Sequence, residues 1–131
     1  MGTSGIPTGR TILVADDEAM VRKMLAVTLE RQGHTALLAA DGLEALAVAR
    51  TTSIDVILLD LQMPRLDGET FCQRYRAQGG QLPIVLMTAT VGQALAEIQA
   101  RCEPTGVLIK PFRLSTLLET LARVLNPTTK P

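Results

Sequence analysis

VILLDLQMPRLDG, residues 56–68, decides how this chain is to be read. Four aliphatic residues lead straight into Asp60, and the chain then breaks at Pro64 and Gly68. An unbroken apolar run of this length fits a central parallel strand covered on both faces. It ends on a carboxylate, a group that is costly to take out of water. In open α/β sheets the carboxyl ends of the strands are where sites are built. Asp60 is therefore a candidate site residue, since a purely structural role leaves an anion beside an apolar strand with no evident partner.

The same pattern recurs along the chain. TILVA (11–15), TALLAA (35–40), DVILL (55–59), PIVLM (83–87) and GVLI (106–109) predict five strands. An amphipathic stretch follows each of them. Met20, Met24, Val27 and Thr28 mark the stripe of the first helix, Leu43, Leu46 and Ala47 that of the second, and Phe71, Cys72 and Tyr75 that of the third. Val91, Leu95, Ile98 and Cys102 form the fourth stripe. Leu114, Leu117, Leu118, Leu121 and Leu125 form the fifth, which Asn126-Pro127 ends. Five strand-helix units with short links predict an α/β fold: a five-stranded parallel sheet flanked on both faces by five helices, with right-handed crossovers. For so short a chain the flavodoxin-like strand order 2-1-3-4-5 is expected.

Composition narrows the setting. The 131 residues match one domain, and 47% hydrophobic residues suffice for one core. Phe71, Tyr75 and Phe112 are the whole aromatic content, so that core is built from aliphatic residues, Ala and Met. Thirteen basic residues balance thirteen acidic ones, which removes the electrostatic reason to expect nucleic acid or anionic lipid as the main partner. Cys72 and Cys102 have neither the CxxC spacing of a metal or redox site nor the density of a disulfide scaffold, and are expected as separate buried thiols. No apolar run approaches the roughly 18 residues of a membrane helix, and no segment resembles a signal peptide. A soluble, cytoplasmic protein without membrane insertion is expected. His34 lies in RQGHTA, between the first helix and the second strand, and is expected at the surface, far from Asp60. Residues 1–9, rich in Gly, Thr, Ser and Pro, are expected as a linker or expression remnant, and 127–131 as a tail.

The expected strand order brings four strand ends to one rim. The first strand ends in Asp16-Asp17-Glu18, the third in Asp60, the fourth in Thr88 and the fifth in Lys110-Pro111. Carboxylates that close repel one another, and a divalent cation with oxygen preference neutralises them. Magnesium suits this set, since it takes one or two carboxylates, keeps waters and accepts phosphate oxygens. Lys110 and Thr88 across from it would cradle a phosphoryl group. A carboxylate placed as Asp60 is can attack phosphorus to give an aspartyl phosphate. Each piece also has a plainer account: Asp17 or Glu18 favouring the amino end of the first helix, an exposed lysine before a proline, a threonine that caps. The conjunction of four such groups on one sheet favours the site.

LVADDE, ILLDLQMPRLDG, IVLMTA and LIKPF, in that order and spacing, closely resemble the receiver domain of two-component response regulators (CheY-like), over residues 10–126. The resemblance implies that Asp60 is the phosphoacceptor, that Asp16 and Asp17 hold magnesium directly or through water, and that the backbone carbonyl of Gln62 is a further ligand. It implies that Thr88 and Lys110 bind the phosphoryl oxygens and that Lys110-Pro111 is a cis peptide. The implied reaction moves a phosphoryl group from a phosphohistidine on a histidine kinase or phosphotransfer protein to Asp60, without the turnover of an ordinary enzyme. Thr88 and the loop before the fourth helix then respond. A downstream protein would read the face of the fourth helix, fifth strand and fifth helix, and a second copy of the chain is carried as a further candidate partner.

Two departures from the family pattern stand out. Val107 occupies the position, three before the lysine, where Tyr or Phe is common, so switching is expected to rest on Thr88 and residues 90–92, or to be muted. Cys102-Glu103-Pro104 replaces the usual Gly-Ala pair before the fifth strand. Gln62 and Thr90, which flank the path of a hydrolytic water, are not carboxylates, so slow self-dephosphorylation is expected. Rival readings are weaker. A dehalogenase-like phosphatase wants an acid two residues after its nucleophile, where Gln62 stands. A nucleotide or flavin binder wants a Gly-rich loop where ADDEAM stands. A non-phosphorylated receiver-like interaction module remains the alternative, although such modules lose the acceptor Asp or the Lys. The chain is expected to be either a stand-alone receiver or the C-terminal receiver of a hybrid sensor kinase.

Overall fold

In this computed structural model residues 9–126 are described, so the expected tail and all of the expected linker but Gly9 lie outside the described residues. Gly9 itself donates its N–H to the Gly33 carbonyl at 3.0 Å, so the body of the fold reaches one residue further than composition indicates.

The elements alternate: β1 (Thr11–Ala15), α1 (Ala19–Arg31), β2 (Thr35–Ala39), α2 (Gly42–Thr51), β3 (Val56–Asp60), α3 (Gly68–Ala77), β4 (Ile84–Thr88), α4 (Gly92–Cys102), β5 (Gly106–Ile109) and α5 (Leu114–Leu125). The strands form one sheet in the order β2-β1-β3-β4-β5, with every neighbouring pair parallel. This is the expected CheY-like flavodoxin fold. Asp60 and Thr88 are the last residues of β3 and β4 rather than the first beyond them, paired with Met87 and Ile109.

Every residue of β3 and β4 is buried, which is why both read as continuous apolar runs. Alternation sends their side chains to opposite faces. Leu13, Ile57, Leu59, Ile84 and Leu86 pack with Leu46, Phe71, Cys72 and Tyr75 under α2, α3 and α4. Ile12, Val14, Val56, Leu58, Val85 and Met87 pack with Leu25, Leu29, Leu117 and Leu121 under α1 and α5. Val107, partly buried, leans on the first of these clusters.

Helix faces depart from expectation more than strands do. In α1 the buried residues are Leu25 and Leu29, while Met20 is 80% and Met24 47% exposed. The methionine stripe and the leucine stripe are displaced by one residue, about 100° around the helix, and both satisfy a 3.6-residue period. In α2 Ala45 and Leu46 face inward and Leu43 outward. In α4 only Cys102 is buried, and Val91 is an exposed N-cap. The α5 stripe is as expected at Leu117, Leu121 and Leu125, but Leu114 is exposed. α4 ends on Glu103 in the left-handed region (φ 52°), a C-cap conformation that favours glycine.

Cys72 and Cys102 are free, buried thiols, as expected, and the neighbouring Cys102 thiol together with burial keeps Cys72 well above the ordinary thiol pKa. One further expectation is corrected. His34 is not a surface residue but 4% exposed. Its Nδ1 accepts the Arg10 backbone N–H at 3.2 Å, so the ring proton belongs on Nε2, which has no hydrogen-bond partner among the described residues. Chain direction places it as expected, at the end of the sheet opposite Asp60. The turn that carries it is covered because Arg10, Thr35 and Asp55 close over the rim through Thr35 N–H to Arg10 carbonyl (2.9 Å) and Thr11 N–H to Asp55 carboxylate (2.8 Å).

Burial, then the Arg10 charge, lowers the His34 pKa, with Asp55 opposing. A histidine held neutral in the fold stabilises it above the unfolded value of about 6.5, and that contribution is lost as pH falls through the lowered folded value. Urea unfolding between pH 7.5 and 5 should therefore show stability falling with pH more steeply in the parent than in His34→Gln. Parallel curves would mean that His34 titrates alike in both states.

Candidate functional site

Three carboxylates meet where β1 and β3 end side by side. Asp16 follows β1 and is fully buried; its N–H donates to the Ala39 carbonyl of β2 at 3.1 Å, which continues the sheet by one residue. Its Oδ1 accepts the Glu18 N–H (2.9 Å) and its carbonyl accepts the Arg22 guanidinium (2.7 Å), so the turn into α1 is tied to it from both sides. Glu18 is the N-cap of α1 but makes no side-chain cap bond, and no acidic residue lies in the first turn. Asp17, next in the turn, is exposed. Asp60 is 5% exposed, and its Oδ1 accepts the Gln62 N–H at 3.1 Å. Oxygens of Asp16, Asp17 and Asp60 all lie within 4.8 Å of one another.

Lys110, at the end of β5, crosses β4 to reach them. Its Nζ is 3.0 Å from Asp16 Oδ2 and 3.5 Å from Asp60 Oδ2. The Lys110-Pro111 bond is cis, as expected. Burial pushes the Asp60 carboxyl up to about 6; the Gln62 N–H opposes this, and Asp16 adds to it more than Lys110 offsets or Asp17 contributes. Burial works against the Lys110 ammonium too, but the hydrogen bond it donates to Asp16 and the charges of Asp60 and Asp16 outweigh it, and its pKa lies above the ordinary lysine value.

A cavity of about 340 Å³ opens over this cluster, lined by Asp17, Glu18, Asp60, Gln62, Ala89 and Lys110. The floor leaves little slack. A Cβ on Gly68 would lie 2.6 Å from the Asp60 carbonyl oxygen and 2.7 Å from Leu61 Cα, so α3 starts against the backbone of Asp60 only because position 68 has no side chain.

Of the residues singled out in the sequence, Lys110 is paired with Asp16 and Asp60, Asp17 lies within 4.8 Å of both carboxylates, and Gln62 lines the cavity. Thr88 is not among the lining residues: it is 3% exposed, and its Oγ1 accepts the Thr90 N–H at 2.9 Å. Ala89 lines the cavity and was not foreseen; a small residue after a strand carries no signal of its own. Nor was the Arg22 contact, since an arginine in a first helical turn ordinarily points to water. A second, largely apolar cavity of about 390 Å³ adjoins the first, sharing Glu18, Ala89 and Lys110 and adding Val21, Met24, Pro111 and Phe112.

The donor set tests for a metal. Three carboxylates with oxygens within 4.8 Å of one another, and no thiol or imidazole among the residues lining the cavity, fit a hard, oxygen-seeking divalent cation such as magnesium.

Comparisons with known proteins agree with this geometry. The family model described as "Response regulator receiver domain" matches residues 12–122. The chain is similar to "Response regulator MprA" of Mycobacterium ulcerans (strain Agy99), 40% identical over 119 residues, 89% of this chain and 50% of that protein. It thus spans about half the length of the curated relatives it matches. Among solved structures, the chemotaxis response regulator CheY4 of Vibrio cholerae is 38% identical with a TM-score of 0.84, covering 90% of this chain and 100% of that one. The receiver domain of sensor histidine kinase PA1611 from Pseudomonas aeruginosa PAO1, solved with a magnesium ion coordinated in its active site cleft, is 30% identical with a TM-score of 0.79, covering 91% and 99%.

A carboxyl raised to about 6 in the fold, against about 3.9 when unfolded, binds more protons folded than unfolded, so its favourable contribution is present below pH 3.9 and lost as pH rises through 6. In metal-free buffer at pH 7.5, Asp60→Asn should therefore be more stable than the parent, by on the order of 3 kcal/mol. The gap should close toward pH 4. Chemical unfolding with chelator present measures it, and equal stability at pH 7.5 would contradict the electrostatic account of the site.

Proposed function

Because the chain belongs to the response regulator receiver domain family, we propose that Asp60 is the phosphoacceptor of a two-component phosphorelay. The observation that carries this reading is Lys110 Nζ within 3.5 Å of both Asp16 and Asp60, beside three mutually close carboxylates. Asp60 attacks phosphorus, an O–P bond forms, and the N–P bond of a phosphohistidine on a histidine kinase or phosphotransfer protein breaks with imidazole as leaving group. Asp16, Asp17, Asp60 and the Gln62 carbonyl would hold magnesium, which offsets the charge of the carboxylates and of the incoming oxygens. Lys110 passes from the carboxylates to a phosphoryl oxygen. The chain is a signalling module rather than a turnover enzyme, and with Gln62 and Thr90 supplying no base, self-hydrolysis is slow.

Phosphorylation adds nearly two negative charges. Thr88, the last residue of β4, turns its hydroxyl from the Thr90 N–H to the phosphoryl group, which frees the β4–α4 loop. The loose burial of α4 supports this, because a helix with one buried residue is displaced at small cost. Val107 supplies no rotating ring, so the loop alone carries the change. Exposed Val91, Ile109 and Leu114 offer the α4-β5-α5 face to a downstream protein or a second copy of the chain.

The phosphodonor docks on α1. Its reactive nitrogen must reach the mouth of the carboxylate cavity, and the apolar surface continuous with that mouth is the Val21, Met24, Pro111 and Phe112 cavity, extended by exposed Met20. Residues 10–126 make up the receiver, working stand-alone or as the C-terminal receiver of a hybrid kinase. No helix among the described residues is long and apolar enough to cross a membrane, and the cytoplasm is the compartment proposed.

Acetyl phosphate with magnesium should add about 80 Da, one phosphoryl group, to the parent and nothing to Asp60→Asn. No gain in the parent would leave the non-phosphorylated interaction module. Met24→Asp should slow transfer from an autophosphorylated histidine kinase by about tenfold or more while acetyl phosphate labelling is unchanged, since a charge in an apolar contact costs more than 1.4 kcal/mol. Equal slowing with both donors would place Met24 in the site rather than in docking.

A further inference from the structure

We propose that Arg65 and Asp41 form a positioning pair that latches the β3–α3 loop, residues 61–67, to the amino end of α2 and so sets the geometry of the carboxylate pocket. This rests on the metal-binding role proposed above for the same loop.

The loop starts at the acceptor. Gln62 donates its N–H to Asp60, and the next carbonyl is the one assigned to the metal. The loop closes on itself through the Gly68 N–H to the Leu61 carbonyl (3.0 Å) and the Leu66 N–H to the Pro64 carbonyl (2.7 Å). These bonds shape it but do not say where it sits against the rest of the molecule. Its outer half is located by α2. A Cβ on Gly42, the first residue of that helix, would fall 2.0 Å from the Leu66 carbonyl oxygen, so the loop lies directly on the helix start.

Arg65 lies at the same contact, with φ 66°, a left-handed conformation that residues with a side chain rarely adopt. Something must hold it there. The Arg65 guanidinium reaches the Asp41 Oδ2 through Nε (3.0 Å) and Nη2 (2.8 Å). The other oxygen of Asp41 accepts the Glu44 N–H at 2.8 Å and caps α2, while Glu44 in turn accepts the Ala40 N–H. One carboxylate thus serves helix and loop together. The cap fixes the anion before the arginine arrives, which removes the ordering cost that makes most surface ion pairs nearly worthless. Consistent with this, the Glu44 N–H and, after the cost of burial, Arg65 hold the Asp41 carboxyl below the ordinary range.

Arg65 is itself mostly exposed, 62% by side chain, so its removal should spare the fold and act on the loop. Groups that orient ligands from behind typically change metal affinity by about 10-fold or more when removed. The test is magnesium titration followed by amide shifts in the parent, Arg65→Ala, Arg65→Lys, Asp41→Asn and the double variant, with urea unfolding measured on each. Arg65→Ala should weaken magnesium binding about 10-fold with its unfolding midpoint nearly unmoved. Arg65→Lys should recover part of the loss, and Arg65→Ala should cost nothing further once Asp41→Asn is present. Unchanged affinity in Arg65→Ala, additive losses in the double variant, or a loss of affinity that only tracks a loss of stability would each overturn the latch. A parent that takes up no magnesium overturns the phosphoacceptor reading, and the latch with it.

Discussion

The Lys110 ammonium, held between the carboxylates of Asp16 and Asp60, is the contact on which the other features of the site depend. At 3.0 Å and an effective dielectric of about 20 such a pair is worth roughly 5 kcal/mol. Taking each ion from water costs several kcal/mol in return. The lysine therefore roughly balances one buried carboxylate, not two with a third beside them. The raised Asp60 pKa records its burial first, and then the Asp16 charge beside it, which Lys110 only partly offsets. A site left short of cation in this way is suited to gain one.

The sheet makes this concentration of charge tolerable. β3 and β4 are buried along their whole length and pack two apolar clusters, one per face, so the strands cannot slide without moving every side chain to the wrong side. The charged groups lie just past that rigid layer, on links a few residues long. Gly42 and Gly68 let the starts of α2 and α3 come against the β3–α3 loop closely enough to leave it little freedom. Rigidity is unevenly spread. α1, α2, α3 and α5 each bury at least two residues, whereas α4 buries only Cys102. A domain built this way sets its pocket on the rigid sheet and buries α4 least of its five helices.

How much was legible in the sequence follows from how many faces an element buries. Strands covered on both faces announce themselves by an unbroken apolar run, and all five were found to within a residue. Helices bury one face, and where two stripes compete, as with Met20 and Met24 against Leu25 and Leu29, periodicity cannot choose between them. His34 looked exposed because turns generally are, yet Arg10 and Asp55 come from distant points of the chain to cover it. The same distance hid the meeting of Cys72 with Cys102 and of Arg65 with Asp41. Thr88 was legible as a strand-end hydroxyl; that it is turned toward the Thr90 N–H was not.

The amino-acid sequence by itself determined the strand-helix alternation, the strand order and the chemistry at each strand end, because these depend on local runs of residue type and on the few topologies that short links permit. Only the tertiary structure decided which helix faces look inward, how far Lys110 reaches across β4, and how the Asp41 carboxylate divides between helix and loop. Those outcomes turn on contacts between groups as far apart in the chain as Asp16 and Lys110, 94 residues, and at that separation only the packed sheet sets the distance.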